Sequence, residues 1–330
     1  MKKIAINGFG RIGRSAFRIL AERSDMEVVA INDLSEAPIL AHLLKHDTAY
    51  GLFEHEISSK DGMIIIDGRE IPVLSEPDPT KLPWGDLRVD VVLECTGRFV
   101  KGDGAGKHIV AGAKKVVLSA PGKGSDIPMY LFGVNEHDYH GETIISNASC
   151  TTNCLAPVAK VIHETFGITK AMMTTIHSYT ADQNLQDAPH DDARRARAAA
   201  ENIVPTTTGA AVSIGEVIPD LKGKFDGIAV RVPTPVVSLT DFTFLLNRKT
   251  TAEEVNAVIE SASQENRYRG ILVVTHEPLV SSDFVGNPAS SIVDLALTKV
   301  VDGDLVKVVA WYDNEWGYSQ RLVDMAFRVA

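Results

Sequence analysis

The run Ser146-Asn147-Ala148-Ser149-Cys150-Thr151-Thr152-Asn153-Cys154 places a thiol directly after a serine suited to cap a helix. A cysteine in the first helical turn faces unpaired amides and the positive end of the helix dipole, which favour its thiolate, so Cys150 reads as a nucleophile. Cys154 follows one turn later, where a regular helix holds the pair poorly for a disulfide; it and Cys95 read as small buried hydrophobes. Of the ten histidines, His177 ends an apolar stretch and precedes a long polar loop. A structural histidine and a catalytic base both satisfy that position, and the loop makes it the best partner for the thiol. No pair of histidines or cysteines has metal-ligand spacing, so no metal is expected.

A second constellation opens the chain. Gly8-Phe9-Gly10-Arg11-Ile12-Gly13 follows an apolar run and begins a helix-like segment. Gly8 permits a tight turn, Gly10 lets a pyrophosphate approach the backbone, and Gly13 lets the helix lie close to a sheet. Asp33 ends the next apolar run, where an acid accepts from a ribose hydroxyl and repels a 2′-phosphate. A glycine turn without ligand satisfies the motif alone; strand, spacing and acid together predict NAD.

The elements that must position these residues change character midway. Lys3–Asn7, Glu27–Asn32, Val89–Glu94, Lys115–Ser119 and Thr143–Asn147 alternate with helix-like stretches, the pattern of βαβ units and a parallel sheet. Hairpin dipeptides within 57–73 predict antiparallel strands added at its edge. After Cys150, strands at Ala171–His177, Phe225–Val232, Val236–Leu246, Gly270–Thr275 and Leu305–Tyr312, with helices near 209–218 and 251–265, suggest a mainly antiparallel second sheet. The reading is an α/β chain with a dinucleotide domain over 1–149 and a catalytic domain over 150–316. A last helix over 317–330 repeats Leu322, Met325, Ala326 and Val329 at helical spacing, one face to be packed down. Pro157 predicts a kink near Asn153, and Ser178–Val204 reads as a long basic loop without regular structure.

Composition narrows the setting. The chain has 330 residues, 45% hydrophobic and 23% charged, which suits a folded globular protein of two domains. Its 33 bases against 43 acids give a net charge of −10, which disfavours nucleic acid and anionic membranes as partners. Three cysteines cannot build a disulfide framework, the apolar N-terminal stretch stops at Asn7-Gly8, and no run approaches the roughly 20 apolar residues of a membrane helix. A cytoplasmic setting is expected, and anionic ligands must be caught by local donors.

At these residues the chain resembles the phosphorylating glyceraldehyde-3-phosphate dehydrogenase family, over essentially its full length. The carriers are Asn7 to Arg14, Ser146 to Pro157, Thr174-Thr175-Ile176-His177, Arg194 to Ala200, Pro205 to Ala211, Arg231-Val232-Pro233-Thr234-Pro235 and Trp311-Tyr312-Asp313-Asn314-Glu315. The resemblance implies a Rossmann-type parallel dinucleotide-binding sheet plus an α+β catalytic domain. It implies oxidation of glyceraldehyde 3-phosphate through a thioester on Cys150, assisted by His177, and release by inorganic phosphate as 1,3-bisphosphoglycerate. It further implies Thr180, Asp182 and Arg231 at the substrate phosphate, and Ser149, Thr151, Thr208 and the Gly209 amide at the attacking phosphate, with Arg197 reaching the same region and Arg194 and Arg195 at subunit contacts. For NAD it implies Arg11 and Ile12 at the pyrophosphate, Asp33 at the adenosine ribose, Ser119 near the nicotinamide ribose and Asn314 at the carboxamide. The family assembles as a homotetramer.

Two positions depart from the family pattern: Pro77 stands where many relatives carry an arginine beside the adenine, and Ala188 where a leucine is common beside the ribose. Two other readings remain. Erythrose-4-phosphate dehydrogenase shares the cysteine and histidine, but its pattern breaks at the segment matching Thr207-Thr208-Gly209-Ala210, intact here. A catalytically silent NAD-binding regulatory protein would have lost the thiol, the imidazole or the anion donors, all of which are retained.

Overall fold

In the computed structural model, residues 1–124 and 127–330 are described. One compact unit comprises Met1–Tyr130, His137–Ala148 and Ser319–Ala330. Its sheet runs, from one edge to the other, Ile144–Ser146, Lys115–Leu118, Val91–Glu94, Lys2–Asn7, Met26–Asn32, Arg69–Leu74, Met63–Ile66 and Ile57–Lys60. The first six are parallel, as βαβ crossovers require, and the last two are antiparallel. The edge hairpins turn at Asp61-Gly62 and Asp67-Gly68, all four with positive φ, the geometry that suits the twist of tight hairpins. Lys2–Asn7 lies between Val91–Glu94 and Met26–Asn32, so the order of strand addition reverses there, which opens a crevice at the strands' carboxyl ends.

The last helix, Trp316–Val329, contributes to this unit from Ser319 onward. Leu322, Val323, Met325 and Ala326 are fully buried. Its end is tied down by Lys2 Nζ, which donates to the carbonyls of Phe327 (2.5 Å) and Ala330 (3.1 Å).

The other unit comprises Leu131–Glu136 and Ser149–Tyr318. Its sheet runs Val204–Thr207, Phe225–Val232, Ile168–Ser178, Ser238–Leu246, Leu305–Tyr312, Ser291–Asp294 and Leu272–Thr275, and Lys299–Val301 pairs with Leu305–Tyr312. Most pairings are antiparallel, but Ile168–Ser178 runs parallel to Phe225–Val232, and Leu272–Thr275 parallel to Ser291–Asp294. Val204–Thr207, Ser291–Asp294 and Lys299–Val301 are additional to the strands expected from the sequence. Pro205 is tolerated because its strand is the sheet's edge.

The helix Cys150–Phe166 packs on the central strands. It is one helix through Pro157, which takes away a backbone donor in the turn that begins at Asn153; Asn153 Nδ2 donates to the carbonyl of Ser149 at 3.0 Å. The segment 178–204, expected to be a long loop without regular structure, holds no helix or strand among the described residues between Ser178 and Val204 and is cross-linked to itself. Ala188 N donates to Ala196 O (2.9 Å), Ala199 N to Asn184 O (3.0 Å), and Asn184 Nδ2 to Ala188 O (2.6 Å).

Candidate active site

At the crevice of the first sheet lies a cavity of about 330 Å³, lined among others by Asn7, Gly8, Gly10, Asp33, Thr96 and Arg98. The glycines divide the work. A Cβ on Gly8, whose φ is +92°, would stand 2.7 Å from Thr96 N, and one on Gly13 would stand 2.2 Å from the Gly8 carbonyl. Gly10 is different: nothing lies within 4 Å of its absent Cβ, and it opens the helix Arg11–Ala21 without a side-chain cap. The open space therefore sits at a helix N-terminus, suited to a pyrophosphate. Asp33 is fixed by the glycine turn and by its own, Oδ2 accepting from Phe9 N at 2.8 Å and Oδ1 from Ser35 N at 2.9 Å, with lone pairs left for a ribose hydroxyl. These features fit a dinucleotide. Pro77 lines the same cavity, whereas the Arg11 guanidinium is paired with Asp47. Ser119, just past its strand, donates its amide to the Glu94 carbonyl at 3.0 Å.

In the second unit Ser149 caps the helix that begins at Cys150, its Oγ accepting from Thr152 N at 3.1 Å, and Cys150 occupies the first helical position. The Cys150 Sγ is 3.5 Å from His177 Nε2. His177 Nδ1 lies 2.7 Å from the carbonyl of Ser178, which can only accept, so Nδ1 carries the ring proton and Nε2 faces the thiol with a lone pair. Burial, reinforced by Arg231, pushes the imidazole down to about 3, so it rests neutral. Burial also pushes the Cys150 thiol up, and the pull of Arg231 and of the first-turn contacts does not overcome it. The expectation that the helix start lowers this thiol is thus corrected: the cost of burying the thiolate outweighs both the first-turn hydrogen bonds and the Arg231 charge.

Strand register supplies the cation. His177 pairs directly with Arg231 across the parallel strands Ile168–Ser178 and Phe225–Val232. Arg231 Nη1 donates to Ser178 O and to Thr180 Oγ1, both at 3.2 Å. Asp182 is bound to Arg195, whose Nε donates to Thr206 Oγ1 at 3.0 Å and whose Nη2 donates to Thr207 O at 3.3 Å. Arg195 thus stands beside the Thr206–Gly209 segment. Arg197 does not join the cluster; it is 60% exposed and donates to Asp187 at 2.7 Å. Within Arg194-Arg195-Ala196-Arg197 the sequence carries no signal for which arginine turns inward; the fold selects Arg195.

The remaining donors are distributed as follows. Thr208 Oγ1 accepts from Ala210 N at 3.2 Å, and Gly209 begins the helix Ala210–Val217 with open space at its absent Cβ. The Thr151 hydroxyl is 3.0 Å from Tyr312 OH, which is 2.8 Å from Thr175 Oγ1, a buried chain behind the nucleophile that sequence reading did not identify. Asn314 is buried, with Oδ1 accepting from Ser238 Oγ at 2.9 Å. Cys154 Sγ is 3.7 Å from Ser291 Oγ, and burial raises its thiol to about 12, as suits an inert core cysteine. Among the described residues no group of three or more histidine, cysteine or acidic side chains could hold a metal ion.

Residues 2–102 match the model of the glyceraldehyde 3-phosphate dehydrogenase NAD binding domain, and residues 149–314 that of the glyceraldehyde 3-phosphate dehydrogenase C-terminal domain. The chain is 54% identical to glyceraldehyde-3-phosphate dehydrogenase of Geobacillus stearothermophilus, over 99% of this chain and 98% of that protein. It is 54% identical to the enzyme of that name from Streptomyces coelicolor, over 98% and 97%. Identity reaches 56% with a chloroplastic form, GAPA1, of Arabidopsis thaliana, over 99% of this chain and 83% of the relative.

Proposed function

The chain belongs to the glyceraldehyde 3-phosphate dehydrogenase family, and from that premise we propose that Cys150 and His177 carry its reaction, with Arg231 and Arg195 as the cationic donors for phosphate. The protein is an NAD-dependent, phosphorylating oxidoreductase of glyceraldehyde 3-phosphate. The observation that carries the residue assignment is the pairing of a neutral, acceptor-only His177 Nε2 with the Cys150 thiol at 3.5 Å.

Cys150 Sγ attacks the aldehyde carbon as its proton passes to His177 Nε2, and the imidazolium returns that proton to the carbonyl oxygen, giving a hemithioacetal. Bound NAD supplies the hydride acceptor. As hydride leaves the carbon, His177 takes the hydroxyl proton and a thioester remains on Sγ. A phosphate oxygen then attacks the thioester carbon, the C–S bond breaks, and the imidazolium reprotonates the sulfur. Burial and Arg231 disfavour the imidazolium, so once protonated His177 gives its proton up readily, first to the carbonyl oxygen and later to the sulfur. Arg231, with Thr180, is placed for the phosphate of the substrate. Arg195, Thr208 and the Gly209 amide are placed for the attacking phosphate, together with Ser149 and Thr151. Asp33 takes the adenosine ribose, and Ser119 and Asn314 the nicotinamide end.

A homotetramer fits the exposed face of the second sheet, where Met172 is 60% and Ile228 49% accessible. A cytoplasmic site of action is consistent with the absence, among the described residues, of any helix long and apolar enough to cross a membrane. The decisive experiment is an initial-rate assay with glyceraldehyde 3-phosphate, comparing NAD with NADP and phosphate with none. NADH formed at full rate over many turnovers without phosphate would overturn the phosphorolytic step.

A further inference from the structure

Behind the dinucleotide cavity lies a buried polar chain that the reaction described above does not use. Trp84 Nε1 donates to His108 Nδ1 at 3.0 Å. An indole nitrogen can only donate, so Nδ1 accepts, the ring proton is on Nε2, and Nε2 donates to Glu94 Oε2 at 3.0 Å. At the other end the Glu76 amide can only donate, to Asn32 Oδ1 at 3.0 Å. Asn32 Nδ2 therefore donates to Asn7 Oδ1 at 2.7 Å, and Asn7 Nδ2 donates to Glu94 Oε2 at 2.5 Å. Glu94 Oε1 accepts from Thr96 N at 2.8 Å and from the Thr96 hydroxyl. Both ends of the chain thus point their donors at one carboxylate, which is buried with His108 beneath the sheet's carboxyl edge.

We propose that Glu94 is a positioning residue for NAD, acting through Thr96 and Asn7. The inference rests on the NAD-binding reading of this cavity. Asn7, Asn32, Glu76 and Thr96 line the cavity, while Trp84, His108 and Glu94 lie behind it. The Thr96 amide is also the atom nearest to where a Cβ on Gly8 would stand, at 2.7 Å, so the glycine turn and Thr96 are in contact. Holding Thr96 from behind therefore holds the turn. A carboxylate suits the position because it accepts at both oxygens. A carboxamide offers one accepting oxygen and sets an NH₂ against donors at its other end, so Glu94→Gln breaks one branch of the chain.

The test measures NAD binding by calorimetry in the full-length protein, alongside steady-state kinetics. Glu94→Gln is expected to raise the NAD Kd about tenfold to a hundredfold, the range for a lost hydrogen bond to a charged group. It should leave kcat at saturating NAD within about twofold, since the residue touches no reacting atom. Trp84→Phe removes only the distal neutral donor and should raise Kd about twofold to tenfold; it keeps the test alive if Glu94→Gln folds poorly. In the wild type, ¹⁵N spectra should show His108 protonated at Nε2 and accepting at Nδ1, a signature a merely space-filling histidine need not have. An Nδ1-protonated or doubly protonated His108 overturns the proposal, as does an unchanged Kd in a folded variant. Wild-type protein that failed to bind NAD would overturn the cofactor reading itself, a result distinct from loss confined to the variants.

Discussion

His177 Nε2 lies 3.5 Å from Cys150 Sγ, and the Ser178 carbonyl, 2.7 Å from Nδ1, leaves that nitrogen only the role of acceptor. The thiol is thus paired with a base whose tautomer is set by the backbone of the next residue. Replacing His177 by Asn removes the basic nitrogen while keeping a polar side chain. The expected result is a fall in kcat of about 10² to 10⁴-fold, the usual contribution of a general base, with slower alkylation of Cys150 and unchanged NAD affinity. Wild-type alkylation rates in His177→Asn would overturn the base assignment.

The same burial makes His177 a pH-sensitive element of stability. Its folded value is about 3 against an ordinary 6.5, so between these the unfolded chain binds the extra proton. Stability from this group is complete above pH 6.5 and is lost as pH falls towards 3. Wild type should therefore lose unfolding free energy faster than His177→Asn on acidification, by up to about 1.4 kcal/mol per pH unit. Denaturant titrations between these limits provide the measurement; parallel curves for the two proteins would contradict it.

Arg231 is adjacent in register to His177 and is the first cation that opposes the burial of Cys150. Arg231→Gln should raise the thiol further and slow alkylation at a fixed pH near neutrality. Loss of a charge-assisted contact to the substrate phosphate should also raise KM for glyceraldehyde 3-phosphate by about tenfold or more. A variant with normal KM would remove Arg231 from the substrate site.

Arg195 and Arg197 separate by the same logic. Arg195 sits against Thr206, Thr207 and Asp182, and Arg197 against Asp187 at the surface. Arg195→Leu should raise KM for inorganic phosphate by about tenfold, whereas Arg197→Ala should change it little, as exposed ion pairs contribute at most about 1 kcal/mol. The reverse order of effects would restore Arg197 to the site.

Two glycines of the opening turn should fail in different ways. Gly13→Ala forces a Cβ to 2.2 Å from the Gly8 carbonyl, so it should destabilise the fold by about 1–3 kcal/mol or more, read from melting curves. Gly10→Ala meets no protein atom within 4 Å, so stability should hold while NAD affinity falls, because the methyl occupies the pyrophosphate's approach. Normal NAD binding by Gly10→Ala would place the pyrophosphate elsewhere.

What the amino-acid sequence determined by itself is chemistry that acts over a few neighbouring residues. Caps, tight turns and helix starts are local, so the Ser149–Cys150 helix start, the Gly8–Gly13 turn and Asp33 at the end of a strand were all legible, as were the longer strands such as Phe225–Val232. The tertiary structure decided whatever depends on groups far apart in the chain. His177 meets Arg231 only through strand register, and Arg195 is chosen over Arg197 only by the packing of the polar loop against Thr206. Burial sums over every neighbour, which is why the Cys150 thiol rises where the helix dipole alone predicted a fall. Glu94 and His108, unremarkable in the sequence, become a chain beneath the cofactor cavity because strands and a helix separated by up to a hundred residues meet there.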